Sequence, residues 1–160
     1  MIMSRLQSPI PLLVIVGPTA SGKSALALRL AKTYHAEIVA CDALQVRAGL
    51  PLLTAKPTES ELAAVPHHLI AAFPIDEPAT AARYADMADA AIADIHKRGK
   101  RVVLCGGTGL YLRALCEGLV ATPEADPALR RQLRAEADEQ GIAALHQRLA
   151  AVDPASAARI

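Results

Sequence analysis

The 160-residue chain has no tryptophan, one phenylalanine and three tyrosines. So few rings leave little material for the stacking platforms that hold unpaired bases, and any grip on RNA must be local. A surplus of one charge sign is missing too: 17 basic against 16 acidic residues give a formal net charge of +1, without the global electrostatic footprint of a polyanion binder. No secretory hydrophobic region and no 18-residue apolar span occurs, so neither export nor membrane insertion is indicated and a cytoplasmic location is expected. The three cysteines, Cys41, Cys105 and Cys116, lack CxxC spacing and read as buried reduced thiols rather than disulfide or metal partners. What is abundant is aliphatic: the hydrophobic fraction of 52% rests on Ala, Leu, Ile and Val. That composition and length are enough for an aliphatic core, with one α/β domain as the default.

The most informative segment is Gly17, Pro18, Thr19, Ala20, Ser21, Gly22, Lys23 and Ser24, which fits GxxxxGK[ST]. It lies between the apolar run 12–16 and a helix-like segment starting near Lys23, where a phosphate-binding loop has to lie. Successive backbone N–H groups of such a loop form an anion-binding concavity, and the helix N-terminus adds its partial positive charge. Lys23 would reach the distal phosphates, and the Ser24 hydroxyl is placed to ligate Mg²⁺. The loop leaves open whether its ligand is ATP, GTP or an organic diphosphate.

Along the chain, a short polar arm to Ser8 precedes a buried-type strand at 12–16, the loop, and a helix running toward Tyr34. A second strand covers 37–41. The stretch 42–78 carries Pro51, Pro57, Pro66, Pro74 and Pro78 and reads as a long functional loop, too proline-rich for regular structure. Thr80 opens an Ala-rich helix, and a third strand covers 101–105. This alternation predicts right-handed crossovers and a parallel sheet covered on both faces by helices. The expected division is a phosphate-loop α/β core over 1–121 and a helical segment over 122–160, the start of an α-helical insert. Within that segment, helices are expected to begin at Asp126-Pro127, near Ile142 and at Asp153-Pro154.

Chemistry should gather at the carboxyl ends of these strands, where open parallel sheets place their ligands. The second strand delivers Asp42, Ala43, Leu44 and Gln45. Asp42 reads either as a Mg²⁺ or water ligand of a nucleotide kinase or as a general base toward an acceptor. The third strand delivers Gly106, Gly107, Thr108 and Gly109, a turn permitting close backbone approach or serving helix packing alone. It ends in Cys-Gly-Gly, not in the aspartate of motor-type or GTPase-type metal motifs, which leaves phosphate-loop kinases and group transferases. His67 and His68 are adjacent on an extended segment, so their imidazoles should point apart into packing or backbone hydrogen bonds rather than share a metal.

Taken together, GPTASGKS, Asp42 to Gln45, Thr54-Ala55-Lys56-Pro57, Val65-Pro66-His67-His68-Leu69, GGTGLYLRAL from Gly106 to Leu115 and Asp153-Pro154 resemble the tRNA dimethylallyltransferases, or tRNA isopentenylpyrophosphate transferases. The resemblance covers nearly the whole chain. It implies a Mg²⁺-dependent transfer of the dimethylallyl group from dimethylallyl diphosphate to N6 of adenosine 37, beside the anticodon of tRNA, by a monomer without membrane contact. It assigns catalysis to Asp42, Thr19 and Lys23, with Asp42 as base. Diphosphate binding falls to residues 17–24, and tRNA contact to Asp42, Ala43, Leu44, Gln45, Thr108 and Arg130. Ala43, Arg47, Ala48 and Leu53 depart from the family's usual serine, tyrosine, arginine and glycine. Family members run to roughly twice this length, so the chain reads as a fragment or a reduced protein. A nucleotide kinase, an adenine-nucleotide prenyltransferase and an idle phosphate-binding protein are the competing readings.

Overall fold

The computed structural model describes residues 10–49, 56–119 and 126–160. The chain falls into two compact units, Met1–Val120 and Ala121–Ile160. The boundary expected at 121/122, the polar arm to Ser8, and Leu53, Thr54 and Ala55 lie outside the described residues.

In the first unit, β1 (Leu12–Val16) runs through the glycine loop into α1 (Lys23–Tyr34), followed by β2 (Ala36–Ala40), α2 (Glu59–Ala64), β3 (His67–His68), α3 (Ala81–Lys97), β4 (Arg101–Gly106) and α4 (Gly109–Cys116). The sheet has the order β1-β4-β2-β3, and every pairing is parallel. Side chains alternate across β4. Val103 and Cys105 pack with Ala27 and Ala31 of α1, while Val102 and Leu104 join Ile92 and Ile95 of α3 and Leu115 of α4. Ala27 and Ala31 are four residues apart on one helix face, and their small size lets α1 lie close to the sheet. Thr80 caps α3 by accepting from the Arg83 amide at 3.2 Å. Tyr84 of α3 stacks on Tyr111 of α4 with centroids 4.1 Å apart and donates its hydroxyl to the Ala40 carbonyl at 2.9 Å. Two of the chain's few rings thus anchor the end of β2.

Three expectations need correction. The stretch 42–78 holds regular structure after all: Thr58 and Glu61 form a reciprocal capping box that starts α2, and His67–His68 pair with β2 as a fourth strand. Pro57 and Pro66 flank these short elements rather than interrupting them. Second, β1 has the apolar sequence of a doubly covered strand but lies at an edge of the described sheet, with Leu13, Val14 and Val16 at 42%, 38% and 56% exposure. The sequence records burial on both faces, and no described strand covers its outer side. Third, Cys41 and Cys105 are buried, but Cys116, at the end of α4, is exposed.

One buried charge sits among the strands. Glu37 of β2 receives the Arg98 guanidinium through Nη1 and Nη2, the latter at 2.8 Å, and pairs with His68 Nε2 at 2.7 Å. The Arg98 hydrogen bonds, helped by His68 and opposed by burial, lower the carboxyl from 4.5 to about 2. A depressed acid contributes stability above its unfolded value and loses it as pH falls toward its folded one. In urea titrations, wild type should therefore exceed Glu37→Gln in stability at pH 6, and the gap should close between pH 4.5 and about 2. A gap independent of pH would mean that packing, not charge, accounts for it.

The second unit contains α5 (Pro127–Gln140), α6 (Ile142–Val152) and α7 (Pro154–Ala157). The expected starts hold. Asp126 accepts from the Ala128 and Leu129 amides at 2.7 and 3.3 Å, and Asp153 accepts from the Ser156 amide at 2.9 Å, each with proline in the first helical turn. Among the described residues, this unit holds no strand.

Candidate active site

The register of the sheet explains why the motifs meet. Val16 of β1 pairs with Gly106, and Ala40 of β2 pairs with Cys105, on opposite sides of β4. With about 4.8 Å between neighbouring strands, the glycine loop and the Asp42 segment leave the same sheet edge about 10 Å apart. Between them lie Gly106 and Gly107, which carry no side chain. The result is a floor without side chains between two walls.

The first wall is residues 17–24. Ala20 and Gly22 take φ of 63° and 83°, left-handed backbone of the kind that anion nests use. Gly22 is the N-cap of α1, with no side-chain cap and no acidic residue in the first turn to offset the helix's positive end. Lys23 Nζ spans the loop to the Pro18 carbonyl at 2.6 Å. Thr19, Ser21 and Ser24 are exposed beside it.

The second wall is built around Asp42. Its Oδ1 accepts from the Leu44 amide at 2.9 Å and the Gln45 amide at 3.2 Å. This self-capped turn fixes the carboxylate while Oδ2 has no hydrogen bond among the described residues. Ala43 and Gln45 are half-buried and Leu44 is exposed. Gln45, Ser24 and His67 line one cavity of about 20 Å³, room for roughly one water, so the two walls close on each other at their base. Burial pushes the Cys105 thiol up, with Asp42 adding to the rise and Lys23 opposing it. The Cys41 thiol, pushed up to about 11 by burial, offers no nucleophile.

The floor tolerates no side chain at Gly106. An added Cβ would stand 2.0 Å from the Cys41 carbonyl oxygen, a backbone atom that cannot step aside, and one at Gly107 would lie 3.3 Å from the Gly17 oxygen. Gly106→Ala should separate β2 from β4 and weaken the 2.8 Å bond from the Cys41 amide to the Cys105 carbonyl. The expected loss is about 3 kcal/mol, the upper end of overpacking costs. Urea unfolding measures it, and an unchanged midpoint would refute the contact.

Other sequence candidates have different settings. Thr108 precedes α4 and faces the Asp42 segment rather than open solvent, with Oγ1 2.8 Å from the Ala43 amide. Arg130 is exposed on the first turn of α5, in the second unit. Arg47, in place of the family's tyrosine, reaches the carbonyls of Pro74 at 3.4 Å, Ile75 at 3.5 Å and Glu77, so it ties down a loop. His67 and His68 diverge, to the Val65 carbonyl and to Glu37.

A parallel sheet with helices on both faces and a glycine-rich loop leading from its first strand into a helix defines the class, an α/β protein with its site at the carboxyl edge. Within that class the chain belongs to the IPP transferase family, whose family model matches residues 45–160. It is 57% identical over 149 residues to a tRNA dimethylallyltransferase of Anaeromyxobacter dehalogenans and 53% identical over 152 residues to that of Geobacter metallireducens, covering 93% of this chain in both cases. The chain spans about half the length of these relatives, 50% and 48%. Among solved structures it resembles the tRNA isopentenylpyrophosphate transferase of Bacillus halodurans, with TM-score 0.67, 40% identity, and coverage of 93% of this chain and 50% of the other. A eukaryotic dimethylallyltransferase acting on tRNA aligns with TM-score 0.78 and 30% identity, over 95% of this chain and 38% of its own. Among the described residues, no helix is long and apolar enough to cross a membrane.

Proposed function

We propose that this chain carries the diphosphate-holding half of a cytoplasmic, monomeric tRNA dimethylallyltransferase, which moves a five-carbon group from dimethylallyl diphosphate to N6 of the adenosine beside the anticodon. The observation that carries the reading is the pair of walls around the Gly106–Gly107 floor, in a chain of this family. The C1–O bond to pyrophosphate breaks and a bond from C1 to N6 forms. Charge accumulating on the departing pyrophosphate would meet Lys23, released from the Pro18 carbonyl, and the backbone N–H groups of residues 19–24. On the other side, Asp42 takes the proton released by N6, leaving neutral alkylated adenosine and pyrophosphate. Thr19, exposed on the loop, and the segment from Asp42 to Gln45 border the space where the acceptor base enters. That base is unpaired in an anticodon loop, so turning it out costs little.

The Ser24 hydroxyl, at the start of α1, is a hard oxygen donor of the kind Mg²⁺ takes, and it would hold the ion beside the diphosphate. When bound, the ion supplies countercharge for the leaving group. Contacts by Thr108 and Arg130 with tRNA complete the proposal.

The deciding experiment supplies labelled dimethylallyl diphosphate with tRNA or with AMP, to the full-length protein and to residues 1–160. Label in tRNA from the full-length protein supports the reading, and label only in AMP, or in neither, overturns it. Residues 1–160 alone should bind diphosphate but hold tRNA only at about 10⁻⁴ to 10⁻⁶ M, the non-specific range.

A further inference from the structure

Thr108 occupies the position immediately before α4, where a threonine oxygen ordinarily accepts from the second or third amide of its own helix. It makes no such bond. Its Oγ1 accepts instead from the amide of Ala43, 65 residues away in sequence, at 2.8 Å. The Thr108 amide in turn donates to the Cys41 carbonyl at 3.1 Å. One residue therefore holds both peptide groups that flank Asp42: the carbonyl before it and the amide after it. The Cys41 thiol adds a weaker contact to the Thr108 carbonyl at 3.8 Å. Inside this bracket, Asp42 Oδ1 accepts from the Leu44 and Gln45 amides, so the carboxylate cannot turn without breaking its own turn. An Ala at position 43 has no side chain that could brace the segment by itself.

We propose that Thr108 is a positioning residue for Asp42: its hydroxyl, diverted from helix capping to the Ala43 amide, sets the direction in which the Asp42 carboxylate meets the acceptor. The proposal rests on the reading of Asp42 as the base and gives Thr108 a role that does not require it to touch tRNA. A hydroxyl held 2.8 Å from the Ala43 amide as acceptor keeps its own proton to donate elsewhere, so a contact with the acceptor base would add to this role.

The test uses the full-length protein with Thr108→Val, which keeps the branched shape but removes the acceptor, and Thr108→Ser, which keeps it. Thr108→Val should lower kcat about 10- to 100-fold, corresponding to one polar group left unpaired, whatever the loss of its donated contact adds to the KM for tRNA. Thr108→Ser should recover most of the loss. In an Asp42→Asn background, Thr108→Val should cost nothing further, because the group it positions is gone. A rise in KM at unchanged kcat would overturn the proposal in favour of a direct tRNA contact, and so would a full additive loss on top of Asp42→Asn. Normal turnover by Asp42→Asn alone is a different failure, of the base assignment, and is read from that single variant. If Thr108→Val fails to fold, amide exchange at Ala43 in residues 1–160 decides: protection in wild type and Thr108→Ser supports the bond, and fast exchange in wild type refutes it.

Discussion

Asp42→Asn in the full-length protein lowers turnover by about 10² to 10⁴, the usual worth of a positioned base, and leaves diphosphate affinity nearly unchanged. The geometry makes this substitution informative. Asparagine still offers an oxygen where Oδ1 accepts from the Leu44 and Gln45 amides, so the turn that shapes the wall survives. What disappears is the negative charge and the proton-accepting Oδ2. The diphosphate side is about 10 Å away across two strand spacings, so the nest should not register the change beyond a weak electrostatic shift. Single-turnover transfer measures the chemical step, and calorimetry with dimethylallyl diphosphate measures the ground state. Normal turnover, or a collapse of diphosphate binding with transfer otherwise intact, would reassign Asp42 to metal or phosphate duty.

The parts of this protein that could be read from sequence are those whose causes are local. Asp126-Pro127, Asp153-Pro154 and Thr80 mark helix starts because a cap and its partner amides lie within three residues. The glycine loop is contiguous for the same reason, since eight residues carry its amides, lysine and hydroxyl. Strand order is not local. Nothing in residues 101–106 announces that β4 inserts between β1 and β2, yet that insertion brings Lys23 and Asp42 to one floor. The bracket of Thr108 around Asp42 was hidden by the same distance. The two-residue strand at His67–His68 exists only because β2 offers its edge, and the prolines on either side masked the capping box at Thr58. The exposed apolar face of β1 shows the reverse case: the sequence describes a covered environment that the described residues do not supply.

Lys23→Ala weakens binding of pyrophosphate and dimethylallyl diphosphate by about 2 to 4 kcal/mol, the scale of removing one partner from a desolvated charge pair. At 1.4 kcal/mol per decade this is about 30- to 700-fold in Kd. The amides of the nest remain in such a variant, because the positive φ at Ala20 and Gly22 and the 3.1 Å bond from the Leu26 amide to the Gly22 carbonyl do not involve the lysine side chain. They supply hydrogen bonds without full countercharge. The bond from Lys23 to the Pro18 carbonyl is lost as well, but it joins two groups at the surface and should cost the fold little. Binding and folding are thus separable: calorimetry should show the affinity loss, and thermal unfolding should place the variant close to wild type. Unchanged diphosphate affinity in a folded Lys23→Ala protein would remove residues 17–24 from the diphosphate site, and with them the leaving-group half of the mechanism.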